Sequence, residues 1–218
     1  MPVFRRLLPG LTVVLPLVAL SGCAWLPQSD VGGGLRASGM LHMTADEARL
    51  ETCGGQVHPV HADEALRALF VRVAPAGQNV IFVDLRGQLL GDNSIRPETI
   101  IRMGATNEGC ANQIAQESQW VALGERPDWR VRIASSGLQL TTLGNEWQSV
   151  IIELLPDGRR GFSTRDGEQT ELWVYPDPCF SQLNGNYYEH SARLVTAGES
   201  MVGCAYQGYL ASDQPSTN

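Results

Sequence analysis

The chain has no lysine, although it carries 16 arginines. We read that bias as a mark of a GC-rich genome and not of function. Its 23 acidic residues give a net charge of −7, and the arginines form no basic cluster. An acidic chain without such a cluster is a poor match for nucleic acid or anionic lipid head groups, so neither is expected as a direct partner. Catalytic frames are also missing. There is no G-x-S-x-G elbow, no H-E-x-x-H, no Gly-rich phosphate loop and no C-x-x-C. The adjacent carboxylates Asp46-Glu47 and Asp63-Glu64 fall at a polar turn and a helix start, where acids belong anyway. Ser135-Ser136 precede Gly137 and read as a hairpin turn, and His190 beside Glu189 reads as a strand-edge histidine near solvent. We expect no enzyme here.

Long apolar runs are scarce too. The one at the start, Leu7 to Leu20, is interrupted by Pro9, Gly10 and Pro16. It falls short of the roughly 20 residues a spanning helix needs. Following Arg5-Arg6, it has the layout of a secretory leader over residues 1–22. Its ending, Leu20-Ser21-Gly22-Cys23, resembles the bacterial lipobox. The resemblance implies that Cys23 is acylated and anchors the mature chain. Several acyl chains on one cysteine hold firmly, at roughly 0.8 kcal/mol per buried methylene. Ala24 after the cysteine, in place of Asp, implies the outer membrane of a Gram-negative bacterium, with the protein facing the periplasm. Residues 23–35, rich in Pro, Ser and Gly, read as a flexible tether. Removing residues 1–22 leaves 14 arginines against 23 acids, a net charge of −9.

Four cysteines remain, Cys53, Cys110, Cys179 and Cys204, and an even number in an exported chain implies disulfides. Three pairings are open. Cys53–Cys110 with Cys179–Cys204 is favoured because each bridge then lies inside one module.

The first module spans residues 36–112. "ASGMLHM", "ARLETC" and "GQVHPV" read as strands. "ADEALRALFVRVA" places Leu66, Leu69, Phe70 and Val73 at helical spacing, with Ala62 and Asp63 at its start. "NVIFVDLRGQLL" is the strongest strand. Its Ile81, Val83 and Leu85 alternate with Phe82, Asp84 and Arg86, so one face is expected to be buried. "ETIIRMGA" supplies a last strand, and strands with one short helix suggest an OB-like barrel. This stretch resembles the C-terminal module of NlpE-like lipoproteins. Met43, Ala45, Asp46, Ala48, Cys53, Gly55, Pro59 and Val60 match the family pattern. His42 stands where an aromatic is usual, and Thr52 where Asp is usual.

The second module spans residues 118–209, ahead of a tail at 210–218 expected to be disordered. "SQWVALGERPDWRVRIASSGLQLTTL" reads as two or three strands with Trp129 and Val131 on one face. "EWQSVIIELL" and "TELWVYP" read as further strands, with "PDGRRG" and "RDGEQ" as turns. Two final strands are linked by Ala197-Gly198. The module resembles a family of uncharacterised envelope proteins through Gly124, Pro127, Trp129, Cys179, Gly185, Tyr188, Ala192, Gly203, Cys204, Ala205 and Gly208. Phe180-Ser181 replaces that family's Arg-Asp, which implies the loss of any polar site there. The whole is therefore expected to be mainly β, in two small disulfide-tied barrels or sheets.

Residues 38–61, "SGMLHMTADEARLETCGGQVHPVH", hold two methionines and three histidines, side chains that suit copper(I) or zinc. Met40, His42, His58 and His61 are the candidate ligands, with copper the candidate metal. Strand alternation places Met40 and His42 together, Met43 opposite, and His58 and His61 on opposite faces. That division favours a buried Met43, a surface His42 and a disulfide at Cys53 over a metal site. The functional expectation is a lipid-anchored, non-catalytic binding, sensing or structural module. The alternatives are a copper-handling or stress-signalling lipoprotein similar to NlpE, and an inhibitor of a host hydrolase such as lysozyme. The partner itself is not legible in the sequence.

Overall fold

Strands dominate the computed structural model, which describes residues 34–141, 146–165 and 169–209. The leader, Cys23, the tether to residue 33 and the tail 210–218 lie outside the described residues. The first half comprises β1 Gly34–Met43, β2 Ala48–Thr52, β3 Val57–Pro59, α1 Glu64–Val73, β4 Val80–Leu89 and β5 Ile95–Gly104. A 3-10 turn at Asn107–Ala111 and the short α2 Gln113–Gln116 lead into the second half. Its strands are β6 Trp120–Glu125, β7 Asp128–Ala134, β8 Gly137–Leu140, β9 Val150–Leu154, β10 Arg160–Thr164 and β11 Thr170–Tyr175, followed by β12 Cys179–Phe180, β13 Tyr187–Tyr188, β14 His190–Thr196 and β15 Glu199–Gln207.

Local chemistry explains the element ends. Asp63 caps α1, its carboxylate accepting the Leu66 N–H at 2.8 Å, and Leu66, Phe70 and Val73 form the buried stripe. Ala197 and Gly198 both adopt positive φ, as a two-residue turn between β14 and β15 requires. Ser135-Ser136 make the β7–β8 turn.

The first sheet runs β12-β13-β5-β4-β1-β2-β3, and a parallel bridge from Val60 to Ile95 brings the β3 side around to β5. With α1 between β3 and β4, strands β1 to β5 form the expected OB-like barrel. Leu41, Leu50, Phe70, Ile81, Val83 and Leu85 are among those filling it. The second sheet runs β8-β7-β6-β15-β14-β11-β10-β9, all neighbours antiparallel. Two backbone hydrogen bonds of 2.8 Å between Leu138 and Gln148 draw its ends together, so this meander is a nearly closed barrel. Trp120, Trp129 and Phe162 are the bulkiest members of its core. The strand β10 begins at Arg160-Gly161, inside the stretch "PDGRRG" expected to be a turn; its residues "RGFST" are too few and too polar to stand out.

Both disulfides pair as favoured, Cys53 with Cys110 and Cys179 with Cys204. The reason differs for the second. Segment 179–188 leaves its own barrel and pairs with β5, Tyr187 opposite Met103 and Tyr188 opposite Arg102. Cys179 therefore sits in the first sheet and Cys204 in the second, and the bridge ties the two together.

One expected pattern is overturned. β4 is buried on both faces, with Ile81, Val83 and Leu85 inside the barrel and Phe82 and Asp84 covered outside it. The cover is the end of β15 and the 3-10 turn; Gly109 lies directly against the Phe82 ring.

Candidate functional site

The outer face of the first barrel carries a buried ionic cluster. Asp84 is fully buried and is opposite Ser38 on β1 and Arg102 on β5. Arg36 grips it with Nε to Oδ1 and Nη2 to Oδ2, both 3.0 Å, and Arg102 Nε reaches Oδ2 at 3.3 Å. Two parallel N–H bonds to one carboxylate match the guanidinium fork. Arg36 also donates to the backbone carbonyls of Gln207 and Gly208 and lies over the Tyr209 ring at 3.7 Å. The cluster thus holds the start of β1 to the end of the second barrel. A bulge opposite Asp84 and Leu85 carries Ile101 into the apolar contact between barrels, where it meets Ala115, Val121 and Tyr206.

Tyrosines complete that junction. Tyr188 stacks on Tyr206 with ring centroids 5.7 Å apart, and the Tyr206 hydroxyl accepts from Asn112 Nδ2 at 3.3 Å. Burial pushes the phenols of Tyr188, Tyr206 and Tyr209 above their ordinary range.

Beside this junction lies a groove of about 260 Å³. Its lining includes Leu123, Glu125, Phe180, Ser181, Val202 and the Cys179–Cys204 bridge. Alternation along β6 and β15 makes this the outer face of the second barrel. On the inner face Trp129 covers Gly124 and Gly203, where a Cβ would fall 2.1 Å and 2.7 Å from its ring atoms. The far wall, loop 181–185, is held by Glu125. One carboxylate oxygen accepts from the Ser181 hydroxyl and the other from the Leu183 N–H at 2.9 Å. Ser181 Oγ in turn accepts from the Asn184 N–H at 3.2 Å. Val202, which lines the groove, is 73% exposed, and Leu183, on the clamped loop, is 74% exposed. The result is a preformed slot with exposed apolar side chains, the kind of surface that receives a ligand or a partner's side chain. The sequence marked this place only as a lost polar site at Phe180-Ser181; nothing in it showed Glu125 arriving from β6.

The metal candidates divide. Met40 and His42 are on the outward face of β1, with His42 Nε2 3.6 Å from the exposed Glu51 carboxylate. Met43 is buried, as expected. His58 pairs with Leu50 on β3, faces inward, and its Nδ1 lies 3.0 Å from the Asn93 carbonyl. His61 Nε2 lies 2.9 Å from Ser94 Oγ. His58 is buried and His61 is exposed, the opposite faces expected, although both reach the turn at Asn93-Ser94. The alternation of β3 continues past Pro59, with Val60 buried and bridged to Ile95. Among the described residues no group of three or more His, Cys, Asp or Glu side chains has the geometry to hold a metal.

The His61 contact continues from Ser94 Oγ to Asp92 Oδ1 at 2.5 Å, which lowers the Asp92 pKa. The order is wrong for nucleophilic catalysis. Here the carboxylate takes the serine proton, whereas a triad needs the imidazole to take it and the carboxylate to orient the imidazole. This chain of bonds is the frame of an Asx-type turn, in which Asp92 also accepts the Ser94 N–H at 3.0 Å. His190 is not a solvent-edge residue either. It packs edge-on against Trp120 at 5.0 Å, with Nδ1 3.5 Å from the mostly buried Glu189 carboxylate.

Compared with family models, curated proteins and solved structures, the chain matches none of them.

Proposed function

We propose that this chain is a lipid-anchored envelope protein, held at the outer membrane through Cys23 and facing the periplasm, that binds a partner without chemistry. The observation that carries the reading is the groove beside the Cys179–Cys204 bridge. Its walls are set by a disulfide and by the Glu125 clamp on loop 181–185; Val202 in its lining and Leu183 on that loop are both exposed to solvent. Side chains held in place beforehand lose little entropy on binding, which is how rigid interfaces gain affinity. Exposed apolar residues beside a preformed slot are the usual anchors of such contacts.

The test is affinity capture from envelope extracts with the intact lipoprotein, run in parallel for Val202→Asp and Leu183→Asp. A partner retained by the parent chain and lost from both variants supports the groove. An identical captured set from all three refutes it. Cys23→Ser, which should abolish palmitate incorporation and release the protein from the membrane fraction, tests the anchor separately.

A further inference from the structure

The second barrel leaves one seam unsealed. β9 ends its sheet, and among the described residues no backbone hydrogen bond reaches its outer edge. Among the described residues, β8 and the chain before β9 share backbone hydrogen bonds only between Leu138 and Gln148, and past Gly137, packed against Gln148, the chain enters the β7–β8 turn. Beyond that point Ile151 and Ile152 are each 54% exposed and Leu154 is 64% exposed. The β9–β10 register has no bulge, and β9 has no proline and only one charge, Glu153. Natural edge strands are guarded by lysines, prolines or bulges because a flat apolar edge recruits another strand. A chain without lysine lacks the commonest of these guards, and here the others are missing too.

We propose that β9 is a self-association edge, at which two copies of this chain join by antiparallel β9–β9′ pairing centred on Ile152. The strand is complementary to itself in that register. Ile152 lies opposite Phe162 of β10, whose ring is in the barrel core, so Val150, Ile152 and Leu154 share the inner face. Around a two-fold axis at Ile152, Val150 meets Leu154′, Ile152 meets Ile152′, and Leu154 meets Val150′. The inner-face apolar rows of two copies become one continuous row. On the outer face Glu153 falls opposite Ile151′, so the two carboxylates are not directly opposed, an arrangement like charges would destabilise. The same residues serve both sides, as a two-fold interface requires. A five-residue strand pair is a small interface, below the roughly 1,200 Å² of standard ones, so the dimer is weak and concentration-dependent. Because both copies are acidic, added salt strengthens it by screening their repulsion.

Sedimentation of the full chain in density-matched detergent tests this, alongside Ile152→Lys and Leu154→Lys, with near-UV circular dichroism to establish folding. The expected result is a mass that rises with concentration and with salt in the parent chain, and stays monomeric in both folded variants. Oxidative cross-linking adds a positional readout: Ile152→Cys should give a covalent dimer, and Glu199→Cys, on the distant β14–β15 hairpin, should not. A parent chain monomeric at all concentrations overturns the proposal. So does equal cross-linking at both positions, or cross-linking of Ile152→Cys in envelopes to a different protein only.

Discussion

Arg36 and Asp84 form a two-point ion pair, both contacts 3.0 Å, in which the carboxylate is wholly buried and the guanidinium nearly so. The arginine comes from the first strand, yet its remaining donors are spent on carbonyls more than 170 residues later. Removing the carboxylate takes from Arg36 and Arg102 the anion they share in a desolvated place. Asp84→Ala is expected to cost about 3–5 kcal/mol of stability, the range for breaking a buried pair from one side. Arg36→Lys should cost less but still destabilise, because an ammonium cannot make the paired contact. Urea unfolding followed by tryptophan fluorescence measures both; an Asp84→Ala chain as stable as the parent would show that the cluster holds nothing together.

Trp129 and Gly124 provide a second test. A methyl at Gly124 would lie 2.1 Å from Trp129 Nε1, and that indole N–H has no hydrogen-bond partner. Gly124→Ala should therefore destabilise by about 1–3 kcal/mol through overpacking. Adding Trp129→Phe should recover part of the loss, since the smaller ring vacates the site and forfeits no hydrogen bond. Strict additivity of the two changes in thermal unfolding would sink this account.

The two disulfides should differ in weight. Cys53–Cys110 spans 57 residues and Cys179–Cys204 spans 25. Chain entropy alone assigns them about 4.2 and about 3.5 kcal/mol respectively. Replacing each pair by alanines and comparing urea midpoints tests the order. Loss of the second bridge should also raise hydrogen exchange at β13 and β5, where the second half of the chain joins the first sheet. Exchange there identical to the parent's would count against a joining role.

Alkali should loosen the junction. The phenols of Tyr188, Tyr206 and Tyr209 are raised chiefly by burial, so the folded state holds their protons more tightly than the unfolded state does. The stability they contribute is full below the unfolded value of about 10 and is lost as pH climbs from there through the raised folded values. The melting temperature should fall above about pH 10 in step with tyrosinate absorbance, and Tyr206→Phe should make the fall shallower. A melting temperature flat through tyrosine ionisation would refute the assignment.

Much of the local structure was legible in the chain. Alternation marked β1, β4 and β7, Asp63 marked the start of α1, and Ala197-Gly198 marked the last turn. The expectation of export implied disulfides, and module boundaries suggested their pairing. These signals are local, because periodicity and turn chemistry act between residues a few positions apart. What the sequence could not show is where strands go after they form. Asp84 within an apolar strand was a hint that the second face is covered, but its partners Arg36 and Arg102 come from two other strands, and the cover comes from the end of β15. Segment 179–188 joining the first sheet, the Glu125 clamp and the open edge of β9 likewise rest on contacts between residues far apart in sequence. Those contacts are chosen by how two barrels bury their remaining apolar and ionic surface together, which is a tertiary decision.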